Sequence, residues 1–345
     1  MNKEINCPSC ASKNIIKKGK RKNKLQEIQR YRCRNCSKIF ADKGIKNKTY
    51  PAKIILNAVS CYNLGSPQIE VSKLISQRYK VKVPQRTISE WVAEYKSICT
   101  FARLRKQALN QYSYTPQNLI HAQTLSHIQP YTFKFHKAKL DILLKENPKF
   151  AALKDYIDKI NSDKFAHHIF TFNKNFNNKE TNEQRASQIK FGHLKIETKS
   201  KNNLACELAK LALSLAKSNN ERHTAIQDFM LINDSTTIAA EVPIYLTNWD
   251  AGYYRNEKGF IFPLNNYKTP ITGHIDILQI RNGLIHILDY KPEAEKQNPI
   301  EQLTIYALAL SRKINLPLYY FKCAWFDEKS YYEFFPLHAV YKRES

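Results

Sequence analysis

The chain has 345 residues, with 55 Lys and Arg against 30 Asp and Glu and a formal net charge of +25, a length that suits two or three domains with cores of their own. No run of roughly 18 apolar residues occurs, which excludes a membrane-spanning helix, and Met1 to Arg32 is too basic and polar for a secretory leader. The expected location is cytoplasmic.

The charge is uneven: residues 1–110 hold 25 Lys and Arg against 6 Asp and Glu, leaving an excess of only 6 for the rest. A basic first third favours a polyanion, because each phosphate it neutralises releases a counterion. Nucleoid association follows as an expectation, with DNA as partner and a homodimer allowed.

Four of the eight cysteines form two CxxC pairs, Cys7/Cys10 and Cys33/Cys36. Each pair can present two thiolates to one tetrahedral zinc ion, and the intervening stretch can form a hairpin that joins the pairs. A disulfide reading needs an oxidising compartment, which a cytoplasmic chain lacks. Cys61, Cys99, Cys206 and Cys323 lie in apolar contexts and are expected in the core. Between the knuckles, Lys17, Lys18, Lys20, Arg21, Lys22 and Lys24 read as a basic loop between two ribbon strands, suited to phosphate contact.

Residues 51–98 read as three helices. Pro51 opens the first and Gly65 stops it; Ser66 and Pro67 start the second as N-cap and N1; the third follows Pro84. The early positions of the third helix, Gln85, Arg86, Thr87 and Ser89, suit contact with base edges or phosphates, which is a helix-turn-helix pattern, with Ile88 and Trp91 in the core. Together these N-terminal motifs ("QRYRCRNCSKIF", "YPAKIILNAVSCYNLG", "PQRTISEW") resemble the N-terminal part of insertion-sequence transposases over residues 5–96. That resemblance implies a DNA-binding module of a mobile genetic element, and no catalysis.

The middle of the chain is less informative. Asn110 to Pro130 is polar and Gln-rich and reads as a connection; residues 134–160 read as two helices broken at Pro148; residues 173–188 read as a loop. His136, His167 and His168 lack a matching spacing of thiols or carboxylates and are read as surface or capping residues.

From residue 204 the expected order is helix (204–217), strand (236–246), strand (271–280), strand (284–290), helix (299–313), strand (317–326). Asn282-Gly283 between two alternating apolar runs predicts a type I′ hairpin. A two-residue loop there pairs Arg281 with Leu284 and so places Asp276 opposite Asp289, with Lys291 two residues along on the same face as Asp289. Opposed carboxylates repel unless a cation lies between them or one keeps its proton. A hard divalent ion, Mg²⁺ or Mn²⁺, resolves the conflict, and Lys291 beside it can orient or help deprotonate water and counter phosphate charge. Pro292 ends the strand, and Glu293 reads as solvated.

These residues resemble the PD-(D/E)XK nuclease family, in particular its RecB-like branch, through "GHID", "DYK" and "QLTIY" over residues 204–325. The resemblance implies a mixed sheet with flanking helices, phosphodiester hydrolysis leaving a 5′-phosphate, and Asp276, Asp289 and the Tyr290 carbonyl as Mg²⁺ ligands with Lys291 as water-activating base. It also implies Glu241 as a further metal- or water-binding carboxylate, Glu207 as a weaker candidate, and Gln302 and Tyr306 as neighbours lining the site. The branch often carries a histidine on its first helix, where this chain has only His223 nearby.

The expectation is a multidomain α+β chain: zinc ribbon (1–48), helix-turn-helix domain (49–100), linker (101–133), helical or irregular extension (134–203) and α/β restriction-endonuclease-like core with a mixed sheet (204–345). The expected activity is a metal-dependent DNA endonuclease with structural Zn²⁺ and catalytic Mg²⁺ or Mn²⁺. The alternative is a non-catalytic DNA-binding regulator or transposition accessory protein. A DDE transposase needs a differently ordered acidic triad, and none follows residue 110.

Overall fold

The computed structural model describes residues 5–22, 25, 27–41, 48–127, 129–170, 185–192, 199–200, 203–216, 218–260 and 270–341. The chain divides into two compact units, one built from residues up to Val59 together with Gln68–Trp91, the other from Ser60–Pro67 together with Val92 onward. No helix among the described residues is long and apolar enough to cross a membrane.

The first unit holds three antiparallel strands, β1 (Ile15–Lys22), β2 (Glu27–Cys33) and β3 (Ile39–Ala41), in the order β1-β2-β3. The basic stretch expected as a loop is instead largely strand: Lys17, Lys18, Lys20, Arg21 and Lys22 lie on β1, all exposed. Pairing slips between Lys17 and Lys20, where Gly19 has φ +64°, so a glycine bulge lets the ribbon keep pairing through the charge run. Lys24 lies outside the described residues. Helices α1 (Ala52–Asn63), α2 (Gln68–Tyr79) and α3 (Gln85–Tyr95) follow, as their start and stop residues predict. Ile55, Leu56 and Val59 of α1, Val71 and Ile75 of α2, and Ile88 and Trp91 of α3 are buried. The turn before α3 is tied by Ser72 donating to the Val83 carbonyl and by the Val83 N–H donating to Ser76 Oγ at 3.0 Å. Tyr50 packs edge-on against Trp91 at 5.1 Å.

The second unit is built from α4 (Arg105–Gln111), β4 (Ile120–Ser126), β5 (Pro130–His136), α5 (Lys137–Glu146), α6 (Ala151–Ile160), β6 (Lys199–Ser200), α7 (Leu204–Ala212), α8 (Arg222–Asn233), β7 (Thr237–Leu246), α9 (Asn248–Asn256), β8 (Ile271–Arg281), β9 (Leu284–Tyr290), α10 (Ile300–Lys313), β10 (Phe321–Phe326), β11 (Tyr331–Phe334) and α11 (Pro336–Val340). Its sheet runs β4-β5-β7-β8-β9-β10-β11-β6 among the described residues. It is mixed: β9 and β10 are parallel, joined through α10, and the other pairs are antiparallel.

The expected connection at 101–133 is therefore corrected. It contains α4, β4 and the start of β5, and Leu125 and Phe133 enter the main core. Composition misled because β4 is an edge strand whose outward positions are polar. The break at Pro148 falls between α5 and α6 as expected, with a 3₁₀ turn at Pro148–Phe150.

Candidate functional site

Cys7, Cys10, Cys33 and Cys36 bring their sulfurs within 4.8 Å of one another, an arrangement that can hold a metal such as zinc. The Cys7–Cys36 and Cys10–Cys33 sulfurs are 3.4 and 3.6 Å apart, close to the edge of about 3.8 Å of a tetrahedron with Zn–S bonds of about 2.3 Å, and too far apart for a disulfide. The backbone N–H of Cys36 lowers the Cys33 thiol to about 6, against an opposing push from burial, which favours the thiolate a metal needs. The four residues expected to carry zinc are thus gathered by the β1–β2 hairpin and the turns that flank it.

The second cluster is built by the β8–β9 hairpin. Asn282 and Gly283 both have positive φ, +52° and +69°, as a type I′ turn requires. Pairing runs from Arg281↔Leu284 to Ile277↔Leu288 without a slip, so the next step sets Asp276 beside Asp289. The two carboxyl groups are thus neighbours, each shifting the other's proton affinity. Lys291, just past the end of β9, places its ammonium 2.8 Å from Asp289 Oδ2.

One feature of the strands was not legible. Ile271 and Ile275 of β8 share one core with Leu278 and Ile280, so inward-facing positions change from odd to even numbers as the strand passes Asp276. Across on β7, pairing keeps the same offset on either side, Ala240↔Ile277 and Val242↔Ile275, and Glu241 between them has φ +53°. A left-handed residue in mid-strand turns the side chains that follow it to the other face. Glu241, Asp276 and Asp289 therefore form a row across three neighbouring strands at the point where β7 and β8 rotate.

Burial drives the electrostatics of this row. Asp289, with 3% of its side chain exposed, is pushed well above the usual carboxylate range, first by burial and then by the charge of Asp276, with Lys291 opposing. Burial pushes Asp276 upward too, but its neighbours His223, Asp289 and Lys291 outweigh that and leave it below the usual value. Two carboxyl groups so placed resist ionising together unless a cation joins them. Burial, then Asp276, raises Glu241 to about 7. Lys291 is pulled down by burial but more strongly raised by Asp289, so it remains an ammonium.

Helix α8 supplies groups that sequence reasoning missed or undervalued. His223 Nδ1 lies 3.6 Å from Asp276 Oδ2, and Gln227, one turn on, donates to Glu241 Oε1 at 2.6 Å. The doubtful histidine therefore does reach the acids, from α8. Glu207, on α7, is exposed. The Tyr290 side chain is buried beneath α8, accepting a hydrogen bond from Arg222 at 2.7 Å and meeting the His223 ring edge-on at 5.1 Å. On α10, Gln302 Nε2 donates to the Tyr306 hydroxyl at 2.9 Å. Tyr306 is buried, and a Cβ at residue 273 would lie 2.5 Å from its Cε1, so Gly273 is what lets the phenol approach β8. Burial and the charge of Asp289 keep that phenol protonated.

The acids fit a divalent cation in kind: one buried and two half-buried carboxyl groups side by side, which repel as anions unless a cation joins them. They are less compact than the cysteines, which among the described residues are the group of three or more ligands that all lie within 4.8 Å. His136 caps α5, accepting from the Lys139 N–H, as its sequence context suggests. Of the expected DNA-contacting side chains on α3, Gln85, Arg86 and Ser89 are exposed and Thr87 is half-buried, with Arg86 paired to Glu90 at 3.1 Å. No family model, curated protein or solved structure matches the chain.

Proposed function

We propose that the protein is a metal-dependent deoxyribonuclease of the PD-(D/E)XK type, an endonuclease guided to DNA by an N-terminal zinc ribbon and helix-turn-helix and belonging to a mobile genetic element. The observation that carries this reading is the pairing of Asp276 with Asp289, with the Lys291 ammonium 2.8 Å from Asp289. Such a pair is a poor structural element, since like charges side by side, one of them buried, cost stability, and a good cation cradle.

Asp276, Asp289, the Tyr290 carbonyl and Glu241 would hold Mg²⁺ or Mn²⁺, which would polarise the phosphate and lower the pKa of water. His223 and Gln227 orient Asp276 and Glu241. Lys291, kept as an ammonium by Asp289, supplies positive charge where phosphate charge develops. Tyr306, protonated and fixed by Gln302, offers an O–H beside the same acids. On the first unit, Lys17, Lys18, Lys20, Arg21 and Lys22 suit phosphate contacts, while Gln85, Arg86, Thr87 and Ser89 suit base edges.

The test is cleavage of plasmid and oligonucleotide DNA by the full chain in Mg²⁺ or Mn²⁺, with Asp289→Ala and Lys291→Ala compared for cleavage and for DNA binding. Loss of cleavage with binding retained is the expected result. Absence of cleavage by the parent protein in either metal would leave the DNA-binding regulator or accessory protein as the better reading. For the first unit, replacing Lys17 and Lys18 by Ala should reduce the slope of log affinity against log salt by about 2, and zinc analysis of the purified protein should return one ion per chain, lost in Cys33→Ser.

A further inference from the structure

β9 stops at Tyr290, whereas β8 continues to Ile271 in pairing with β7. Beyond Asp276, the edge of β8 that β9 leaves is met by Arg185, which forms a parallel bridge to Thr272. The sheet thus forks at the acids. A pocket of about 170 Å³ opens in the fork, with Asp276, Glu241 and Tyr306 on one side.

Its other side is aromatic and lies outside the acid row. Tyr131 from β5 stacks on His274 from β8 with ring centroids 3.8 Å apart and planes 22° apart, and His127 stacks on Phe170 at 4.1 Å and 8°. The two stacks are tied together, since His127 Nδ1 and His274 Nε2 are 2.9 Å apart. The tie continues to His167, whose Nδ1 is 3.4 Å from His127 Nε2 and whose Nε2 is 3.1 Å from the Ile160 carbonyl. The wall is therefore held before any ligand arrives. Gln129, exposed at the rim, adds an amide, and Arg185 adds a cation.

A rigid wall of two ring stacks, inclined to each other by 40° to 49°, with an amide and a guanidinium at its border, is suited to a planar heterocycle, through stacking and edge hydrogen bonds. The neighbouring acids are suited to a phosphate only when a cation joins them. One nucleotide offers both parts, a ring and an adjoining phosphodiester, and the net charge of +25 favours a polyanion over a neutral heterocycle.

We propose that this pocket receives one unpaired nucleobase next to the scissile phosphate, a role that rests on the nuclease reading of the acids. A base held there is out of its duplex stack, so single-stranded DNA or frayed ends are the substrates cut fastest, and paired DNA bears the added cost of unpairing.

The experiment uses the full chain with oligonucleotides carrying 2-aminopurine at successive positions, as a single strand, a fork and a blunt duplex. Fluorescence is read in Ca²⁺ and cleavage in Mg²⁺. The expected result is quenching at one position beside the cut site in the single strand and the fork, with cleavage of both at least tenfold faster than of the duplex. Tyr131→Ala should lose the quenching and about tenfold in single-strand cleavage, whereas Tyr131→Phe, which keeps the ring, should retain both. Equal cleavage of duplex and single strand, or an unaltered Tyr131→Ala, overturns the pocket while leaving the nuclease in place. Quenching without cleavage on any substrate supports the pocket and sinks the nuclease reading instead.

Discussion

Two buried charged clusters share the sheet of the second unit, and they are built on opposite rules. In one, Lys139 on α5 is fully buried and donates to the carbonyls of Leu231, Asp234 and Thr237, so each of its three N–H groups meets an acceptor at the junction of α8 and β7. Asp234 beside it is as well served, accepting from the Thr237 N–H and from Gln279. In the other, Glu241, Asp276 and Asp289 face like charges, and Lys291, with 27% of its side chain exposed, is the ammonium that faces Asp289. The first cluster is saturated and closed; the second is strained electrostatically and open to a pocket. Burial of charge alone marks neither function nor stability, whereas unsatisfied like charge beside a cavity points to a ligand.

The largest effect that separates the two is on the reaction. Lys291→Met should lower cleavage about a thousandfold, ~4 kcal/mol of lost transition-state stabilisation, and leave the chain folded, as circular dichroism and thermal melting will report. Lys139→Met should do the reverse. It leaves three buried carbonyls without a donor and should destabilise the second unit by ~3 kcal/mol. Denaturation followed by a probe in that unit measures the loss, and cleavage per folded molecule should stay within a few-fold of the parent. If Lys139→Met abolishes cleavage without weakening the fold, the division between the clusters is wrong.

That division was only partly legible beforehand. The cysteine cluster was readable because CxxC spacing is local, and the Asp276–Asp289 pairing because Asn-Gly fixes a two-residue loop whose register propagates by counting. His223 and Gln227 were not readable as site residues, because α8 buries Ile226, Gln227, Phe229, Met230, Leu231 and Asn233 on more than one side and so lacks a clean polar stripe. Nothing in the residue type announces the positive φ of Glu241, so the rotation of the strands at the acids was hidden. The histidine and aromatic wall is hidden for a third reason: it joins β4–β5, residues 167–170 and β8, which are distant in sequence and meet only through the sheet.

The smallest effects concern pH, and they run in opposite directions in the two clusters. Burial, opposed by Asp234, lowers Lys139 from 10.5 to about 7. Between those values the unfolded chain binds more protons than the folded one, so this lysine makes stability rise with pH, by up to ~1.4 kcal/mol per unit. Glu241 is raised from 4.5 to about 7, so between 4.5 and 7 the folded chain binds more protons and its contribution to stability falls as pH rises. Above pH 7 that loss is complete unless a divalent cation takes the place of the proton. Glu241→Gln should therefore match the parent near pH 4.5 and exceed it by ~2 kcal/mol at pH 8 without added divalent cation, and the gap should narrow when Mg²⁺ is added, because the parent keeps one more carboxylate for the ion and gains more. A variant that is no more stable than the parent at pH 8, or that gains as much from Mg²⁺, would show that Glu241 is satisfied as it stands and belongs with the saturated cluster.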